Sequence, residues 1–429
     1  MRVLVLGSGG REHALVLALA GDLAVDEVHA APGNPGMAGP ARLHEVNPLD
    51  GDEVADLAVR LRADLVVIGP EAPLVAGVAD VVRAAGVACF GPGAEAARLE
   101  GSKAFAKEVM AAAGVPTAMA HVCAAPPAVE AALDAFGPPY VVKDDGLAGG
   151  KGVVVTDDRE EALAHAHACL AGTAAGPGAG AGVAPRTVLV EEYLDGPEVS
   201  LFAVTDGETV VPLVPAQDFK RLGDGDTGPN TGGMGAFAPL PEAPDDLVAD
   251  VTTRVLEPTV AEMARRGTPF AGLLYAGLAL STRGLRVVEF NVRFGDPETQ
   301  VVLPLLESSL GTLLHAAATG RLAAVPPLRW RDGAAVTVVV AAAGYPAAAR
   351  AGDPVGGLDE AAACEGVQVV HAGTAQGTAH GGLVTAGGRV LAVTAVGADV
   401  PAARDRAYRG VACVRIDGSQ HRSDIAASR

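Results

Sequence analysis

Short apolar runs alternate with helical stretches over the first hundred residues. Val3–Leu6 predicts a buried strand and, after a glycine turn, Arg11–Ala20 predicts a helix. Asp64–Ile68 and Val75–Ala85 repeat this order of strand and helix. Because strands that alternate with helices form parallel sheets, the pattern predicts a doubly wound α/β unit over residues 1–101.

A second unit begins with the helical stretch Ser102–Ala113, which ends at Gly114, a residue that commonly terminates helices. Further along, apolar runs predict strands at Tyr140–Lys143, Gly152–Thr156, Thr187–Glu192, Gly272–Ser281 and Leu285–Val292. Strands and helices that share one stretch of chain in this way indicate a second mixed α/β domain.

The last helix of this unit is predicted from its start signals. Pro297 follows Asp296, a good N-cap residue, and the helical pattern runs to about Ala318. The second unit is therefore expected over residues 102–325. Apolar alternation with glycine-rich turns then predicts an α+β unit over residues 326–425.

Composition limits the class of protein. At 429 residues the chain exceeds the size of one hydrophobic core, and 49% hydrophobic residues can fill several. Lys and Arg number 32 against 51 Asp and Glu, and the net charge of −19 argues against nucleic-acid binding. The absence of an apolar run of ~18 residues and of a signal-peptide pattern predicts a cytoplasmic protein with no membrane partner.

Cysteines and histidines indicate neither a zinc site nor a covalent nucleophile. The five cysteines are far apart in the chain and show no paired spacing. His165 and His167 are two residues apart on a predicted helix, so they cannot share a metal ion. No serine lies in a G-x-S-x-G motif.

The segment KDDGLAGGKGV, residues 143–153, contains two lysines and several glycines. Lys143 ends a predicted strand, and the loop behind it contains Gly149, Gly150, Lys151 and Gly152. Glycines let the backbone approach a ligand closely, and two ammonium groups can offset the charge of a polyphosphate. The segment does not match G-x-x-x-x-G-K-[ST], so it is not a P-loop. The competing interpretation is a solvated hairpin with an unrelated lysine.

Glu289 and Asn291 are two residues apart in an apolar strand, so both side chains project from one face. Hard cations such as Mg²⁺ take one or two such oxygen ligands and complete their shell with water and phosphate. Arg293 would lie on the same side near the end of the strand, where its fork of donors suits a phosphoryl or carboxylate group.

The turn Gly7–Gly10 exposes N–H groups at a helix N-terminus, an arrangement that favours an anion. The dinucleotide fingerprint G-x-G-x-x-G is incomplete, because Glu12 occupies its last position. A phosphate site and a plain tight turn both remain open.

Six glycines in the first thirteen residues of Gly223–Ala236 predict a loop that is neither helix nor strand. Asp218 and Lys220 precede it and favour main-chain contacts between the loop and a substrate. Glu191 and Glu192 end an apolar strand and predict a hinge able to hold the edge of a nucleoside, although a lone Glu-Glu pair would more often lie on the surface.

The two-lysine loop, the Glu-Glu hinge and the Glu-x-Asn strand, in this order, resemble the ATP-grasp fold. Across essentially the whole chain, six ordered motifs are similar to those of the glycinamide ribonucleotide synthetase family: GSGGREHA (Gly7–Ala14), GPEAPL (Gly69–Leu74), LEGSKAF (Leu99–Phe105), DTGPNTGGMGA (Asp226–Ala236), EFNVRFGDPETQ (Glu289–Gln300) and HAGT (His371–Thr374). The resemblance implies that residues 102–325 form an ATP-grasp domain with a mobile lid at about 120–192.

The resemblance also implies a ligase of purine biosynthesis that uses ATP and Mg²⁺ or Mn²⁺ to join glycine to 5-phosphoribosylamine through glycyl phosphate. The residues implied for ATP binding are Lys103, Lys143, Gly149, Gly150, Lys151, Gly152, Glu191, Glu192 and Leu194. Those implied for substrate binding are Gly9, Gly10, Glu71, Pro73, Asp218, Asn230, Gly232, Gly233 and Met234. Those implied for catalysis are Arg293, Lys151, Asp218 and Asp296, and those for metal binding are Glu289 and Asn291.

The sequence departs from the family's common pattern at two residues. Asp144 stands where Ala is usual after the strand lysine, and Ser309 stands where Asp is usual. Because an acid beside a phosphate loop weakens nucleotide binding, we expect the Asp144 side chain to face away from the nucleotide. Ala171–Pro185, almost all Ala, Gly and Pro, is expected to be a long surface loop.

Two other functions remain open at this stage. One is an ATP-grasp ligase for a different carboxylate, and the other is a catalytically silent nucleotide-binding subunit. Intact Lys143, Lys151, Glu289 and Asn291 argue against the second. Small molecules are the only expected partners, and a monomer or weak dimer is expected.

Overall fold

The computed structural model describes residues 1–147, 152–173, 186–377 and 381–427. In this part of the chain, the strands form six sheets, and helices pack against them. None of the helices described there has the length and apolar character needed to cross a membrane. The order of a parallel sheet, an ATP-grasp-like centre and an α+β end agrees with the fold class that the sequence predicts.

The N-terminal unit is a parallel sheet with the strand order β3-β2-β1-β4-β5. Its elements are β1 (Arg2–Gly7), α1 (Gly10–Ala20), β2 (Glu27–Pro32), β3 (Arg42–Leu43), α2 (Gly51–Leu61), β4 (Leu65–Ile68), α3 (Glu71–Val75), α4 (Val78–Ala84), β5 (Ala88–Phe90) and α5 (Ala94–Gly101). Both faces of β1 are buried, which explains its continuous apolar run. The strand order changes direction between β1 and β4, and ligands of such sheets bind beyond the carboxyl ends of the strands at this point.

The next unit contains an antiparallel sheet, here called the lid sheet, with the order β6-β9-β7-β8. Its elements, with the helix that precedes them, are α6 (Lys103–Ala113), β6 (Ala120–Cys123), α7 (Pro126–Phe136), β7 (Tyr140–Asp144), β8 (Val153–Thr156), α8 (Arg159–Leu170) and β9 (Val188–Glu191). Apolar side chains of β7 and β9 pack with those of α7 and α8 on one face. The other face is left free for charged side chains.

The central unit continues through β10 (Glu198–Asp206), β11 (Val210–Pro212), β12 (Gln217–Asp218), β13 (Arg221–Gly223), β14 (Thr227–Asn230), β15 (Gly235–Ala238), α9 (Leu247–Val251), α10 (Glu257–Arg265), β16 (Ala271–Ser281), β17 (Gly284–Asn291), α11 (Thr299–Val302) and α12 (Leu310–Ala318). A second antiparallel sheet has the order β11-β10-β16-β17. It forms the floor beneath the lid sheet, because the Lys143 ammonium of β7 donates to the Val288 carbonyl of β17.

The C-terminal elements are β18 (Ala334–Ala341), α13 (Leu358–Ala362), β19 (Val367–His371), β20 (Thr374–Gln376), β21 (Leu383–Thr385), β22 (Arg389–Gly397) and α14 (Val400–Cys413). Their main sheet has the order β12-β15-β18-β22-β19, so two strands from the central part of the sequence complete it. This shared sheet attaches the glycine-rich segment to the C-terminal unit.

The prediction that Gly223–Ala236 is neither helix nor strand was wrong. β13 and β14 form a hairpin, and β15 pairs with β18. Gly225 and Gly228 adopt positive φ angles of 66° and 79°, which let the chain reverse without the steric cost of a side chain.

The single helix predicted from Pro297 to Ala318 was also wrong. After α11 a 3₁₀ turn contains Pro304, which has no N–H to continue an α-helix. α12 then starts afresh behind Ser309, whose Oγ accepts from the Thr312 N–H at 3.1 Å. Ser309 thus serves as N-cap, and Asp296 is left for other contacts.

Candidate active site

The free face of the lid sheet brings a lysine and a glutamate together. The Lys143 Nζ lies 2.8 Å from the Glu191 Oε2 and donates to the Val288 carbonyl at 3.2 Å. Burial would lower the pKa of Lys143, but Glu191 and Glu289 outweigh it and raise this pKa above its usual value. The ammonium is therefore charged and lies beside the floor strand that carries Glu289.

Glu191 also pairs with a lysine to which the sequence analysis assigned no role. The Lys107 Nζ lies 3.2 Å from the Glu191 Oε1 and donates to the Thr117 Oγ1 at 2.9 Å. Burial lowers the pKa of Lys107, while Lys143 and Lys107 together hold the pKa of Glu191 below its usual value against the opposing effect of burial. The sequence did contain a signal for this role of Lys107, because Lys107 follows Lys103 by four residues and so lies on the same face of α6.

Glu289 lies at a point where cations from several elements converge. Burial would raise the pKa of this carboxyl, but Lys220, Lys143, Lys103 and Arg293 lower it below its usual value. Among the described residues, no side chain forms an ion pair with Glu289 within 4.0 Å. The carboxylate is therefore ionised and available to a ligand.

Asn291 completes a pair of oxygen donors with Glu289. Its Oδ1 accepts from the Arg293 Nη2 at 3.2 Å. No group of three or more His, Cys, Asp or Glu side chains within the described ranges could hold a metal ion. A hard cation beside Glu289 and Asn291 would thus need further oxygens from water or phosphate, as Mg²⁺ commonly has in phosphate sites.

Arg293 is fixed by two carboxylates. Its Nη2 lies 2.8 Å from the Glu100 Oε1, and its Nε lies 3.3 Å from the Glu71 Oε2. Burial would lower the pKa of Arg293, but Glu100 and Glu71 raise it. Burial would raise the pKa of Glu71, but Arg293 and Arg11 lower it. Arg293 thereby connects the floor strand to the N-terminal unit, and sequence reasoning missed the contribution of Glu100.

The glycine turn after β1 holds a carboxylate of its own chain. The Glu12 Oε2 accepts from the Gly9 N–H at 2.6 Å, and the Glu12 side chain fills the space beside Gly69. An anionic phosphate at the Gly9 N–H would meet this carboxylate, so the geometry favours the tight-turn interpretation. Pro73, in α3, is buried and offers no polar side chain.

Asp296 lies between this turn and the C-terminal unit. Its Oδ2 accepts from the Arg11 N–H at 3.4 Å, and its Oδ1 accepts from the Gln300 Nε2 at 2.8 Å. From β22, the Arg389 Nη2 approaches the Asp296 Oδ2 at 3.3 Å. Burial would raise the pKa of Asp296, but Arg389 and Arg11 lower it. A side chain on Gly10 would meet Gln300, so glycine leaves room there.

Asp218 lies in a second group of acids. The Lys220 Nζ donates to the Asp218 Oδ1 at 3.1 Å and to the Glu198 Oε2 at 2.6 Å. Burial raises the pKa of Asp218 to about 6, and Glu298 adds to the increase although Lys220 opposes it. The Tyr275 hydroxyl donates to the Glu298 Oε1 at 2.6 Å. Because a carboxylate oxygen can accept more than one hydrogen bond, these acids could also accept from a small ammonium ligand beside Lys220.

The glycine-rich segment is held from both sides. Gly233 has a φ of 110°, and a Cβ there would meet Pro297. The Gly232 N–H donates to the Tyr345 hydroxyl at 3.0 Å. Asn230 ends β14 opposite Arg221.

Met234 has no free polar group for a substrate. Its side chain is fully buried. Its N–H donates to the Phe219 carbonyl at 2.7 Å, and its carbonyl accepts from the Val339 N–H at 2.9 Å. Met234 is thus used in packing and in the sheet, and its assignment to substrate binding stays a prediction.

The hinge after β9 is anchored at its second glutamate. The Glu192 Oε1 accepts from the Met119 N–H at 3.0 Å, and its Oε2 accepts from the Arg283 Nη1 at 2.9 Å. Leu194 is half-buried two residues further on. Glu191 thus turns toward Lys143 and Lys107, and Glu192 ties the hinge to Met119, the residue before β6.

Lys103 reaches the start of the two-lysine loop. Its Nζ donates to the Gly146 carbonyl at 2.9 Å. Asp145 fixes this junction, since its Oδ1 accepts from the Ser102 hydroxyl at 3.0 Å and its Oδ2 from the Thr187 hydroxyl at 2.8 Å. Gly149, Gly150 and Lys151 lie outside the described residues, as does most of the Ala171–Pro185 segment. Gly152 is described, and its carbonyl accepts from the Asp144 N–H at 2.7 Å.

Asp144 lies on the helix-covered face of the lid sheet. It pairs with Val188 of β9, whereas Lys143 pairs with Leu189 and faces the other side. Asp144 contributes, after burial, to raising the pKa of the Cys169 thiol in α8. The side chain therefore faces away from Lys143, which is the orientation that the sequence analysis expects.

Three family models match consecutive parts of the chain. They describe the N domain of phosphoribosylglycinamide synthetase over residues 1–100, its ATP-grasp (A) domain over residues 101–299 and its C domain over residues 335–428. Phosphoribosylamine–glycine ligase of Streptomyces coelicolor is 64% identical over 100% of this chain and 99% of its own. The enzyme of the same name from Mycobacterium tuberculosis is 58% identical over 99% of this chain and 97% of its own.

Solved structures agree with these sequence matches. The crystal structure of phosphoribosylamine–glycine ligase from Thermotoga maritima has a TM-score of 0.84 and 36% identity, and covers 99% of this chain and 100% of that one. A biotin carboxylase domain from Hydrogenobacter thermophilus, at 19% identity and a TM-score of 0.72, shares the fold. The chain belongs to the phosphoribosylglycinamide synthetase family of ATP-grasp enzymes.

Proposed function

We propose that this protein joins glycine to 5-phosphoribosylamine with hydrolysis of ATP, giving glycinamide ribonucleotide, ADP and phosphate. The observation that carries the proposal is that Lys220, Lys143, Lys103 and Arg293 lower the pKa of the buried Glu289 carboxyl, which forms no ion pair with any side chain in the described part of the chain. Several cations around one ionised acid suit a site for a triphosphate and its metal ion.

ATP would bind between the lid sheet and the floor sheet. Lys103 and Lys143 lie at the phosphate end, and Lys151 with Gly149 and Gly150 would cover the phosphates from the loop. Gly152 ends this loop. Glu191 holds Lys143 and Lys107 in place, while Glu192 and Leu194 would border the nucleoside.

Mg²⁺ or Mn²⁺ would be held by Glu289 and Asn291. The two oxygen donors, the ionised state of Glu289 and the lack of an ion pair between its carboxylate and any described side chain fit a hard cation. When bound, such a cation neutralises phosphate charge and polarises the phosphoryl group. Arg293, fixed by Glu100 and Glu71, would stabilise the negative charge that develops on the transferring group.

The reaction would proceed in two steps. In the first, an oxygen of the glycine carboxylate bonds to the γ-phosphorus while the bond to the ADP oxygen breaks, which gives glycyl phosphate. In the second, the amine of phosphoribosylamine bonds to the glycyl carbonyl carbon, the carbon–oxygen bond to phosphate breaks, and the amine loses a proton.

Positions for the two substrates follow from charge. The acids around Asp218 would hold the glycine ammonium, and Gly232 and Gly233 would border the acyl phosphate. Asp296, with Gly10 and Glu71, would lie on the phosphoribosylamine side. Gly9, whose N–H is held by Glu12, and the buried Pro73 would shape the border of this region rather than bind the phosphate. Because no covalent nucleophile is needed, positioning and electrostatics carry the catalysis.

The test is glycine-dependent release of ADP with phosphoribosylamine generated in the assay. We expect ADP release to require both substrates and to yield glycinamide ribonucleotide in equal amount. Activity with a different carboxylate in place of glycine would indicate another ATP-grasp ligase. Nucleotide binding without any turnover would overturn the proposal in favour of a silent subunit.

A further inference from the structure

Arg389 of the C-terminal unit contacts two segments of the proposed catalytic centre. Its Nη1 donates to the Gly232 carbonyl at 2.5 Å and to the Asp296 carbonyl at 2.6 Å. Its Nη2 lies 3.3 Å from the Asp296 carboxylate. One guanidinium therefore fixes the distance between the glycine-rich segment and the Asp296 loop, which are more than sixty residues apart in sequence.

The backbone of Arg389 holds a third segment. Its carbonyl accepts from the Gly373 N–H at 2.9 Å, in the HAGT motif, and the neighbouring Ala372 lies against Gly10. On the other side, Gly232 is held by the Tyr345 hydroxyl. Through these contacts the C-terminal unit holds together the edge of the site where the N-terminal and central units meet.

The side chain of Arg389 is well suited to this task. Its head is partly buried, with 22% of the side chain exposed against 17% for that of Asp296. A planar fork can satisfy two carbonyls and a carboxylate at once, whereas a lysine offers one compact charge. A Cβ at Gly232 would crowd the guanidinium, so glycine allows the close approach.

We propose that Arg389 is a positioning residue for the amide-forming step, an inference that rests on the proposed function. By holding the Asp296 carboxylate and the Gly232 backbone together, it places the phosphoribosylamine amine, oriented by Asp296, next to the glycyl carbonyl bordered by Gly232. The charged groups that face Asp296 are Arg389 from β22 and Arg11 from α1, while Gln300 from α11 is neutral.

The experiment compares Arg389→Ala and Arg389→Lys with Arg406→Ala in the full-length protein. Arg406 is a matched control, because it donates to the Val396 carbonyl at 2.7 Å and to the Glu365 carboxylate at 2.7 Å inside the C-terminal unit. We expect Arg389→Ala to lower kcat/KM for phosphoribosylamine at least tenfold and to leave the KM for ATP within twofold. Arg389→Lys should recover part of the loss, and Arg406→Ala should keep wild-type kinetics.

A pH profile separates positioning from loss of fold. Without Arg389 the pKa of Asp296 rises, so the acidic limb of kcat/KM for phosphoribosylamine should move to higher pH in Arg389→Ala and stay in place in Arg406→Ala. The inference is overturned if both alanine variants behave alike, or if all substrates are affected in equal proportion. If Arg389→Ala does not fold, the pH profile of Arg389→Lys decides between a positioning role and a purely structural role of Arg389. Wild-type protein without glycine-dependent turnover would overturn the proposed function and this inference with it, whereas an active wild type with unaffected variants overturns the inference alone.

Discussion

Glu191 is predicted to be the main determinant of stability on the free face of the lid sheet. Its side chain is 3% exposed and pairs with Lys143 at 2.8 Å and Lys107 at 3.2 Å. Removing one partner of a buried ion pair costs about 3–5 kcal/mol. In Glu191→Gln the amide oxygen keeps one hydrogen bond, so we expect a loss of about 3 kcal/mol.

The assay is hydrogen exchange of the β9 amides in nucleotide-free protein, which reports the free energy of opening of the lid sheet. Glu192→Gln is the matched control, because Glu192 pairs with Arg283, whose side chain is 51% exposed. The Glu192 side chain is 13% exposed, but the Gln amide can still accept from the Met119 N–H, and a pair with a solvent-exposed cation contributes about 0–1 kcal/mol, so this variant should have little effect.

A second variant tests whether the loss of stability comes from an ammonium group left without its partner. Lys107→Met alone should cost about 3 kcal/mol, since it removes one of the two buried partners of Glu191 together with the hydrogen bonds to Thr117 and Ala118. Combined with Glu191→Gln, it removes an unpaired ammonium and should restore part of the stability. The reasoning is refuted if Glu191→Gln costs no more than Glu192→Gln, or if Lys107→Met costs the same in both backgrounds.

Three further predictions concern the metal site and two titrating groups. Glu289→Gln combined with Asn291→Ala should fold, as judged by circular dichroism, and lose Mg²⁺-dependent turnover; near-normal activity would exclude these ligands. Burial holds the Asp218 carboxyl at a pKa of about 6, above its usual value, so the folded protein loses stability as pH rises from about 4 to 6. At pH 7 the free energy of unfolding of Asp218→Asn should therefore exceed that of the wild type by about 1–3 kcal/mol, while its turnover falls. A variant that is no more stable than the wild type at pH 7 would contradict this. Burial lowers the pKa of His13 to about 3, and the neutral ring accepts from the His371 N–H at 2.8 Å. The neutral ring therefore stabilises the fold above pH 6.5, and this stabilisation is lost as pH falls toward 3. In His13→Asn this part of the acid sensitivity should disappear from the pH dependence of the melting temperature, and an unchanged acid limb would exclude His13 as its source.

Much of the fold could be predicted because local pattern and burial agree. The continuous apolar run of β1 is buried on both faces, and the side chains of Lys143 and Asp144 alternate as a strand requires. The two wrong element predictions have local causes that the pattern underweights. Pro304 divides a helix, and positive φ angles at Gly225 and Gly228 make a hairpin from a segment that is rich in glycine.

The site was predictable only where its chemistry is concentrated in a short motif. Lys143 and Glu289 belong to such motifs, and the structure brings them near enough for Glu289 to raise the pKa of Lys143. Glu100 and Arg389 act through partners that lie 193 and 93 residues away. No local pattern specifies such pairings, because they arise when separate units pack together.

The central claim is that lysines of the lid, Lys143 among them, and the side-chain oxygens of Glu289 and Asn291 on the floor strand act on the same bound triphosphate. Its most direct test is a crystal structure with Mg²⁺ and a non-hydrolysable ATP analogue. We predict that the Lys143 ammonium contacts the phosphates while Glu289 and Asn291 ligate the Mg²⁺ bound to the same phosphates. Phosphates bound away from Lys143, or a metal ion away from Glu289 and Asn291, would contradict the account.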